Sequence, residues 1–538
     1  MSRKARVAQA AAGIAALALV ATGCGGGGGG GGGTGQASGG EGGSFSYAIQ
    51  EPEALAPVSN CYESECIGVL NALYTPLLKI DTKTGEPEFQ QAKSITTKDS
   101  KVWTITLRKG WKFHNGEPVD ADAYIRAWNY AAYGPHAVRI NFFFERVKGY
   151  DAMNEKNPTT KKLTGLEKVN DYKFKVILEK PFSQWIDVMS YIGFAPMAKA
   201  CVKDIHACND HPIGDGPYKM DGDWQHNRKI ELAKYDGYKG QDAGRADHIT
   251  MRIYSDMATA YNDWVSGELD IVEPTPEKVK TARQQAGDRI EQKASSAYYG
   301  LGFPTYIKAY DNKKLRQAIS LSINRKAITD NIMTLLRPAT DVISPAVPGS
   351  RSDACDYCDY DPQRAKKLFK EAGGFPSGKK IVLWVNSGEG NEQWMQAIGN
   401  QLKKTLGVDF QIKSVVSSRY FDSLDAGKAT GPYYLSWIMD YPSPENYLRA
   451  LYSEKGLSNR TGWSNPKFEK YMAKGDAAPT IKAGVKYYQK AADVVLEDLP
   501  GVPLFFSTAM YVYSTNVTNV HYDPAITNVD VTQVKVTS

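Results

Sequence analysis

The sequence predicts an α/β protein with a mixed sheet and several lobes. Patterns typical of strands and helices alternate along the chain from residue 45, and no internal repeat interrupts them. The 538 residues are enough for roughly three or four domains of about 150 residues each. Hydrophobic residues make up 42% and charged residues 23% of the chain, which are ordinary globular values and exclude a disordered or fibrous protein.

Five segments carry the alternation of strands and helices. Residues 103–107 alternate apolar and polar side chains, as in a half-buried strand, and residues 119–133 have the composition of an aromatic-rich helix. Residues 361–373 predict a complete helix, because an aspartate can cap its start, a proline occupies the first helical position and a glycine ends it. A short apolar strand at 381–385 and a helix at 392–406 follow.

The N-terminal leader, residues 1–23, has the order of features of a secretory signal peptide. Positive charges come first, an uncharged stretch follows, and small residues end it. The uncharged stretch is short for a membrane span, which needs about 20 apolar residues. Cys24 directly after the small residues resembles a lipobox, in which the cysteine is lipidated, for example with palmitate. We therefore predict a lipid anchor at Cys24; an ordinary signal peptide followed by a chance cysteine is the alternative.

Residues 24–44 predict a flexible linker. Nine consecutive glycines occupy positions 25–33, and a stretch of this composition cannot bury side chains and behaves as a coil. No later segment is apolar for long enough to span a bilayer. The predicted location is the extracellular face of the cell membrane, with the folded part held there by the lipid.

The six remaining cysteines occur as three close pairs. These are Cys61 with Cys66, Cys201 with Cys208, and Cys355 with Cys358. In an oxidising compartment, close pairs predict three local disulfides. The spacing of Cys355 and Cys358 also suits a zinc site. However, no second pair follows within about 12–20 residues, so zinc is the weaker interpretation.

Catalytic motifs are absent from the sequence. It contains no G-x-S-x-G, H-E-x-x-H or phosphate-loop motif, and its S-x-x-K and K-T-G fragments stand in the wrong order for a β-lactamase-like hydrolase. The seven histidines are isolated, so neither a metal centre nor a cofactor is predicted. The net charge is +6, and three of the positive residues belong to the leader, which argues against a nucleic-acid partner. The sequence therefore predicts a non-enzyme.

Several motifs, in a fixed order along the chain, resemble a known family. They are W-T-I-T-L-R-K-G-W-K-F-H-N-G-E-P-V-D-A-D at 103–122, G-D-G-P-Y at 214–218, S-G-E-L-D at 266–270, L-R-Q-A-I-S with I-N-R within 315–325, and W-I-M-D-Y-P-S-P at 437–444. The series resembles the extracellular solute-binding proteins of family 5, the oligopeptide- and dipeptide-binding receptors of ABC importers. Asp215 stands where that family usually has threonine. Arg316 is expected to hold a helix to its neighbour rather than to touch ligand.

The resemblance implies a two-lobed fold of the periplasmic-binding-protein type (type II, cluster C), with an extra domain and a ligand cleft between the lobes. Carried onto this chain, the first lobe's core is 45–78, 210–300 and 505–538, the extra domain is 79–209, and the second lobe is 301–504. Strands near 298–302 and 503–506 are expected to form the hinge. Ligand stabilises the closed form, because only that form contacts it from both sides. The closed protein, a monomer, then docks on the membrane permease.

The resemblance also implies where a peptide binds. In peptide-binding members, the aspartate of the W-x-x-D motif, here Asp440, accepts the ligand's α-ammonium. A cation entering a closed cleft loses its hydration and requires a fixed opposite charge. A turn-capping aspartate is the alternative role. The alternative ligand is another solute: an oligosaccharide stacked on Trp437 and Tyr441, a metal chelate or haem.

The peptide is expected to add as a strand between two protein edges, since backbone groups are common to all peptides. One edge would run from Ser436 to Met439. The other would be residues 63–65, with Ser64 at its centre, inside the loop between Cys61 and Cys66. A disulfide there would stiffen the rim and reduce the ordering cost of binding.

Overall fold

The computed structural model describes residues 42–59, 61, 63–387 and 390–537. The predicted leader, the predicted lipidation site Cys24 and nearly all of the predicted linker lie outside these residues. Within them, no helix combines the length and the apolar character that crossing a membrane requires.

The strands of the described residues are numbered in chain order. They are β1 Ser44–Ile49, β2 Leu78–Ile80, β3 Pro87–Phe89, β4 Ala92–Thr97, β5 Val102–Leu107, β6 Leu166–Asn170, β7 Lys173–Ile177, β8 Tyr218–Met220, β9 Lys229–Lys234, β10 His248–Ile253, β11 Ile271–Val272, β12 Ile290–Gly302, β13 Leu336–Pro338, β14 Ile381–Ser387, β15 Phe410–Val416, β16 Tyr433–Trp437, β17 Gly501–Tyr513, β18 Val517–Thr518, β19 Tyr522–Asp523, β20 Asn528–Val529 and β21 Lys535–Val536.

The helices are numbered in the same way. They are α1 Ser64–Leu73, α2 Ala121–Ala132, α3 Tyr150–Met153, α4 Trp185–Val188, α5 Lys199–Lys203, α6 Ile205–Asp210, α7 Met257–Ser266, α8 Val279–Ala286, α9 Lys308–Asp311, α10 Lys313–Leu321, α11 Arg325–Asn331, α12 Pro362–Glu371, α13 Asn391–Leu406, α14 Ser417–Asp425, α15 Pro444–Tyr452, α16 Pro466–Asp476 and α17 Ile481–Asp498. Short 3-10 helices cover Gly134–His136, Arg139–Phe144 and Ile192–Phe194.

An 11-stranded mixed sheet runs through the molecule. Its longest pairing joins β12 and β17, which are antiparallel from Ile290 opposite Val512 to Gly302 opposite Gly501. Strand β1 lies parallel to β10 and β11, and β14 lies parallel to β15 and β16. The mixed α/β sheet predicted from the sequence is confirmed.

Two large hydrophobic cores lie along this sheet. The first core draws most of its buried side chains from residues 45–271 and 509–534. The second core draws its buried side chains from residues 298–506. Strand β17 gives Phe505 to the second core and Tyr511 to the first, so it passes from one core to the other. Strand β17, which contains the predicted hinge residues 503–506, therefore connects the two cores.

A separate four-stranded antiparallel sheet, ordered β4-β5-β7-β6, belongs to the first core. Helix α2 packs against it through the buried Trp128, whose ring lies 5.5 Å from that of Phe174 and 5.3 Å from that of Phe194. Helix α2 starts where Asp120 accepts a hydrogen bond from the backbone N–H of Ala123 at 2.9 Å. Such aromatic packing supplies most of the burial that holds a small sheet and helix together.

The helix predicted at 361–373 is present, and its cap explains its start. An Oδ of Asp361 accepts hydrogen bonds from the backbone N–H groups of Gln363 and Arg364, at 3.1 and 2.9 Å. Arg316 also has the structural role that the sequence predicted. It is 3% exposed, and its guanidinium donates to the carbonyl groups of Asp498, Leu499 and Tyr310, which ties α10 to the end of α17.

All three predicted disulfides are present. The Cα–Cα distances are 5.6 Å for Cys61–Cys66, 4.9 Å for Cys201–Cys208 and 5.4 Å for Cys355–Cys358. These distances lie in the ordinary range for bonded cysteines. Zinc at the third pair is therefore excluded as the explanation of its spacing, because both sulfurs are bonded to each other.

Asp215, the residue that replaces the family's usual threonine, is a fully buried carboxyl in the first core. It is 1% exposed, and its carboxyl accepts hydrogen bonds from the backbone N–H of Thr75 at 3.0 Å and from the side chain of Gln91. Burial raises the pKa of Asp215 to about 7, although these hydrogen bonds oppose the rise. Gly214 lies against Leu73 so closely that a Cβ would come within 1.9 Å of its carbonyl oxygen, which explains a glycine there.

Candidate functional site

The segment that follows β16 carries the W-x-x-D motif, and one asparagine fixes its shape. The Oδ1 of Asn446 accepts from the indole Nε1–H of Trp437 at 2.8 Å and from the backbone N–H of Asp440 at 3.1 Å. Its Nδ2–H donates to Oδ2 of Asp440 at 2.8 Å. Asn446 therefore orients both the tryptophan and the aspartate of the motif.

Helix α15 places Asn446 at this point. Its start has the expected chemistry, because the hydroxyl of Ser443 accepts from the backbone N–H of Glu445 at 3.3 Å and Pro444 occupies the first helical position. The sequence analysis did not single out Asn446. The pattern S-P-E-N at 443–446 was the available signal, since it predicts a helix whose first turn faces the preceding segment.

Asp440 has no cationic partner among the described residues, and its carboxylate is half-buried. Burial raises its pKa to about 6; the hydrogen bond from Asn446 opposes this rise, and the negative charge of Glu445 adds to it. The oxygen that caps the start of α15 belongs to Ser443. Asp440 is thus a fixed, partly desolvated acidic group that forms no ion pair among the described residues.

Glu445 lies nearby and has the opposite environment. It is 0% exposed, and it pairs with Arg146 at 3.2 Å and with Arg449. Both arginines also reach Asp476, at 3.6 Å for Arg146 and 2.7 Å for Arg449. Two arginines and two carboxylates therefore balance one another, and the attraction of both guanidinium groups lowers the pKa of Glu445 although burial opposes this.

A cavity of about 160 Å³ opens beside Asp440. The first core contributes Phe143 and Trp185 to its lining, and the segment after β16 contributes Trp437, Asp440 and Tyr441. Aromatic and charged side chains share the lining, which also includes Arg146, Arg449 and Lys455. A ligand group in this cavity would contact residues of both cores, and the Asp440 carboxylate is one of its polar contacts.

A second cavity, of about 240 Å³, lies between the middle of β12 and β17, the end of β1 and the start of α1. Ser64, Glu65 and Glu273 line it from one side, and Ile438 lines it from the segment after β16. Ile438 precedes Asp440 by two residues, so the two cavities flank the same short segment. The fold thus brings residues distant in sequence into one region between the two cores.

Both acidic residues of this cavity have raised pKa values. Glu273 is surrounded by protein, although its side chain is exposed to the cavity. Desolvation raises its pKa to about 7, and the charge of Glu65 adds to this rise. A hydrogen bond with Tyr511 opposes the rise. Desolvation likewise raises the pKa of Glu65. The sequence analysis missed Glu273, because the chain near β11 gives no motif that would mark it.

The residues predicted to bind ligand are only partly brought together. Trp437, Asp440 and Tyr441 line the smaller cavity, and Ser64 lines the larger one. Met439 is 4% exposed and belongs to the second core, and Ser436 is paired with Tyr299 in the β12–β16 ladder. These last two side chains are not among the lining residues of either cavity.

The prediction that residues 63–65 form an extended edge is wrong. Only Glu63 has an extended backbone, and α1 begins at Ser64. Helix formation buries Cys66, Val69 and Leu73 in the first core, which an extended chain could not do because its side chains alternate between two faces. Ser64 therefore meets the cavity from the first turn of a helix. The backbone there cannot pair with a peptide as a strand.

Comparison with known proteins gives consistent relatives. The oligopeptide-binding protein OppA of Bacillus subtilis (strain 168) is 27% identical over 494 residues, which cover 87% of this chain and 88% of the relative. The substrate-binding protein CtaP of an ABC transporter from Listeria monocytogenes has a similar structure, with a TM-score of 0.80 at 21% identity, covering 93% of this chain and 100% of the other. The murein tripeptide binding protein MppA of Escherichia coli gives a TM-score of 0.76 at 22% identity, covering 93% and 99%. These structural likenesses show a shared fold.

Two cores joined by long paired strands, with cavities lined from both of them, define a two-lobed solute-binding protein. The chain belongs to the bacterial extracellular solute-binding proteins, family 5, whose middle region matches residues 86–459. The family and the fold class predicted from the sequence are thereby confirmed.

Proposed function

We propose that this protein captures peptides between its two cores and delivers them to the membrane permease of an ABC importer. The family consists of extracellular solute-binding proteins. The names of its relatives supply the ligand and the partner: OppA is an oligopeptide-binding protein, MppA binds a murein tripeptide, and CtaP is the substrate-binding protein of an ABC transporter.

The observation that carries this proposal is the environment of Asp440. Its carboxylate lines a cavity, is oriented by Asn446 at 2.8 Å, and forms no ion pair within the part of the chain that the structure describes. A peptide α-ammonium would supply the missing positive charge. The interaction is strong because neither group is fully hydrated in the closed site. The ammonium would lie against Asp440 and the first side chain among the aromatic residues of the smaller cavity.

The rest of the arrangement follows from this role. The lobes are the segments bounded in the sequence analysis, hinged at β12 and β17, and closure around the ligand creates the surface that the permease recognises. Lipidation at Cys24 and the glycine-rich linker hold the protein, a monomer, at the extracellular face of the membrane. It binds and releases its ligand unchanged, without catalysis and without a cofactor.

Titration calorimetry with two forms of one peptide tests the ammonium role. Tetra-alanine with a free amino terminus is expected to bind, and its N-acetylated form is expected to bind at least about 30-fold more weakly, since truncating one partner of a buried charge pair costs about 2 kcal/mol or more. Asp440→Asn should cause a similar loss with the free peptide. Asp330→Asn, at an exposed aspartate paired with Lys326, is the matched control and should cause none.

Equal binding of the free and acetylated peptides would show that Asp440 does not read the ammonium. Native mass spectrometry of protein purified without added ligand separates this failure from a failure of the whole proposal. Adducts with peptide masses support peptide capture. A single adduct with the mass of a sugar, a metal chelate or a haem would overturn it, and the fold would stand.

A further inference from the structure

The larger cavity is lined by two carboxyl groups and by no cationic side chain of the described residues. Glu65 and Glu273 both line it, and no Lys, Arg or His of the described residues does. Lys293 lies nearby, but its ammonium donates to the backbone carbonyl of Tyr522 at 3.1 Å and is not part of the lining. Burial raises the pKa of Asp523, and the positive charge of Lys293 opposes this rise. The cavity is therefore acidic on the side that faces a ligand.

The two carboxylates come from distant parts of the chain and meet because of the fold. Glu65 lies in the first turn of α1, and Glu273 follows directly after β11. They are close enough for the charge of Glu65 to contribute to the raised pKa of Glu273, after the larger effect of burial. Tyr511 lines the same cavity, and its hydroxyl opposes the rise in the pKa of Glu273.

Tyrosine rings form much of the remaining wall. Tyr47 and Tyr511 lie with ring centroids 6.2 Å apart, and Tyr511 stacks on Tyr522 at 6.0 Å. All three line the cavity, together with Tyr299. Aromatic rings attract a cation over their faces and also accept the apolar stem of a long side chain. A cavity with tyrosine walls and carboxylates is suited to a flexible side chain that ends in a positive charge.

Other occupants fit the lining less well. Within the described residues, no group of three or more His, Cys, Asp and Glu side chains could hold a metal ion. An anion at the start of α1 would meet the carboxylate of Glu65, which accepts a backbone hydrogen bond there itself. A neutral group would leave two desolvated carboxylates without a partner. An organic cation satisfies all of these conditions.

The size of the cavity indicates one side chain rather than a whole ligand. Its 240 Å³ would hold about eight water molecules at roughly 30 Å³ each, whereas pockets for complete small-molecule ligands run from about 300 to 1,000 Å³. It adjoins the smaller cavity, because Ile438 lines the one and Asp440 the other. Two residues of chain reach at most about 7 Å. The side chain that enters the larger cavity therefore belongs to a residue near the peptide's amino terminus.

We propose that this cavity is a specificity subsite for a basic side chain, so that the protein prefers peptides with a lysine or arginine within their first three residues. The inference rests on the proposed function, because it assumes that the amino terminus of a peptide binds at Asp440. It adds the chemical class of the preferred peptide. Glu65 and Glu273 are the residues that recognise the cation.

The test compares lysine with Nε-acetyl-lysine, which keeps the stem and removes the charge. Each of the first three positions of tetra-alanine is replaced in turn by one or the other, and the dissociation constants are measured by titration calorimetry. At one position, lysine is expected to bind at least about tenfold more tightly than acetyl-lysine. Glu273→Gln and Glu65→Gln, made separately, should each reduce this advantage to less than about threefold.

The matched control is Glu167→Gln, which removes an exposed carboxylate in β6 of the separate four-stranded sheet and should leave the lysine advantage unchanged. Two independent glutamate variants guard against one of them failing to fold. Equal affinity for lysine and acetyl-lysine at all three positions would overturn the inference alone. So would an advantage that survives both glutamate substitutions. If no tetrapeptide binds, the proposed function fails and the subsite fails with it.

Discussion

Asp440 and Glu445 are five residues apart, and their surroundings differ in one decisive respect. Glu445 is 0% exposed and is matched by Arg146 and Arg449, whereas Asp440 is half-buried and accepts one side-chain hydrogen bond, from Asn446. A buried carboxylate with its cations in place has nothing left to bind. A partly buried carboxylate that faces a cavity and forms no ion pair among the described residues can receive a cation from a ligand. The same turn of chain thus carries one structural and one binding carboxylate.

Asp215 is a third buried carboxyl group, and its environment differs from those of Glu445 and Asp440. It has no cationic partner among the described residues either, but it faces no cavity, and the backbone N–H of Thr75 and the side chain of Gln91 surround it. Its pKa of about 7 means that near neutral pH the protonated form is substantially populated. The three carboxyl groups therefore differ in a way that can be tested. Glu445 is paired with cations, Asp440 faces a cavity, and Asp215 retains a proton.

The largest effect is expected when the balance around Glu445 is broken. Arg449→Met removes one of its two arginines and the 2.7 Å contact with Asp476. Removing one partner of a buried ion pair costs about 3–5 kcal/mol, and the lower end applies because Arg146 remains. Urea unfolding followed by circular dichroism should show the loss. Combining Arg449→Met with Glu445→Gln should recover part of it, since the unpaired charge is then gone.

Lys326→Met is the control for Arg449→Met. It removes an exposed ion pair between Lys326 and Asp330, one helical turn apart, with 78% and 51% of the two side chains exposed. Pairs of this kind contribute about 0.3–0.5 kcal/mol. If Arg449→Met destabilised the protein no more than Lys326→Met does, Glu445 would not depend on its arginines and the contrast with Asp440 would lose its basis.

An effect of comparable size, of the order of 4 kcal/mol between pH 4 and pH 8, is expected from Asp215→Asn. The folded protein holds the Asp215 proton up to about pH 7, whereas the unfolded chain releases it near pH 4. The folded state therefore binds more protons in between, and its stability falls as the pH rises through this range. Asparagine cannot ionise. The variant should gain stability relative to the wild type between pH 4 and pH 8.

The difference between variant and wild type is the quantity to measure, because other groups titrate in the same range. His114 contacts the carbonyl of Gly216, and burial lowers its pKa to about 4, which makes stability rise with pH. Asp81→Asn provides a control of opposite sign, since backbone N–H groups of Thr84 and Lys83 lower the pKa of Asp81. Its difference from the wild type should change only below about pH 5. If the Asp215→Asn difference did not change with pH, Asp215 would be ionised throughout.

Local chemistry explains why many elements could be predicted from the sequence. The helix at 362–371 was recognisable because its aspartate cap, its proline and its terminal glycine act within a few residues. Residues 63–65 were misjudged, although the buried positions of α1 follow a helical spacing of three and four.

The candidate site was predictable only where a motif runs through it. Asp440 was found through W-x-x-D, and its orienting partner Asn446 lies close enough in sequence to be found from the helix start. Glu65 and Glu273 gave no such signal as a pair, because their proximity depends on how α1 and β11 pack around the central strands. The charge of a cavity depends on which residues the tertiary structure brings together. It can be assigned only when the lining residues are known.

The smallest effect concerns the pH dependence of binding at Asp440. Tetra-alanine is the suitable ligand, because its termini do not change charge between pH 5 and pH 7 to a large extent and it has no basic side chain for Glu273. The α-ammonium needs an ionised Asp440, whose pKa is about 6 in the free protein. About a tenth of the molecules have it ionised at pH 5, so the affinity should be roughly tenfold lower there than at pH 7.

Asp440→Asn should bind tetra-alanine weakly and with almost no change over this pH range. The pKa of the neighbouring Glu445 is lowered, and those of Tyr191, Tyr441 and Tyr447 are raised. None of these four groups titrates between pH 5 and pH 7, so a change in affinity over this range would be due to Asp440. A flat profile for the wild type would mean that Asp440 is ionised throughout, as Glu445 is. Its lack of a cation would then carry no information about ligand, and the contrast between the two carboxylates would not distinguish binding from structure.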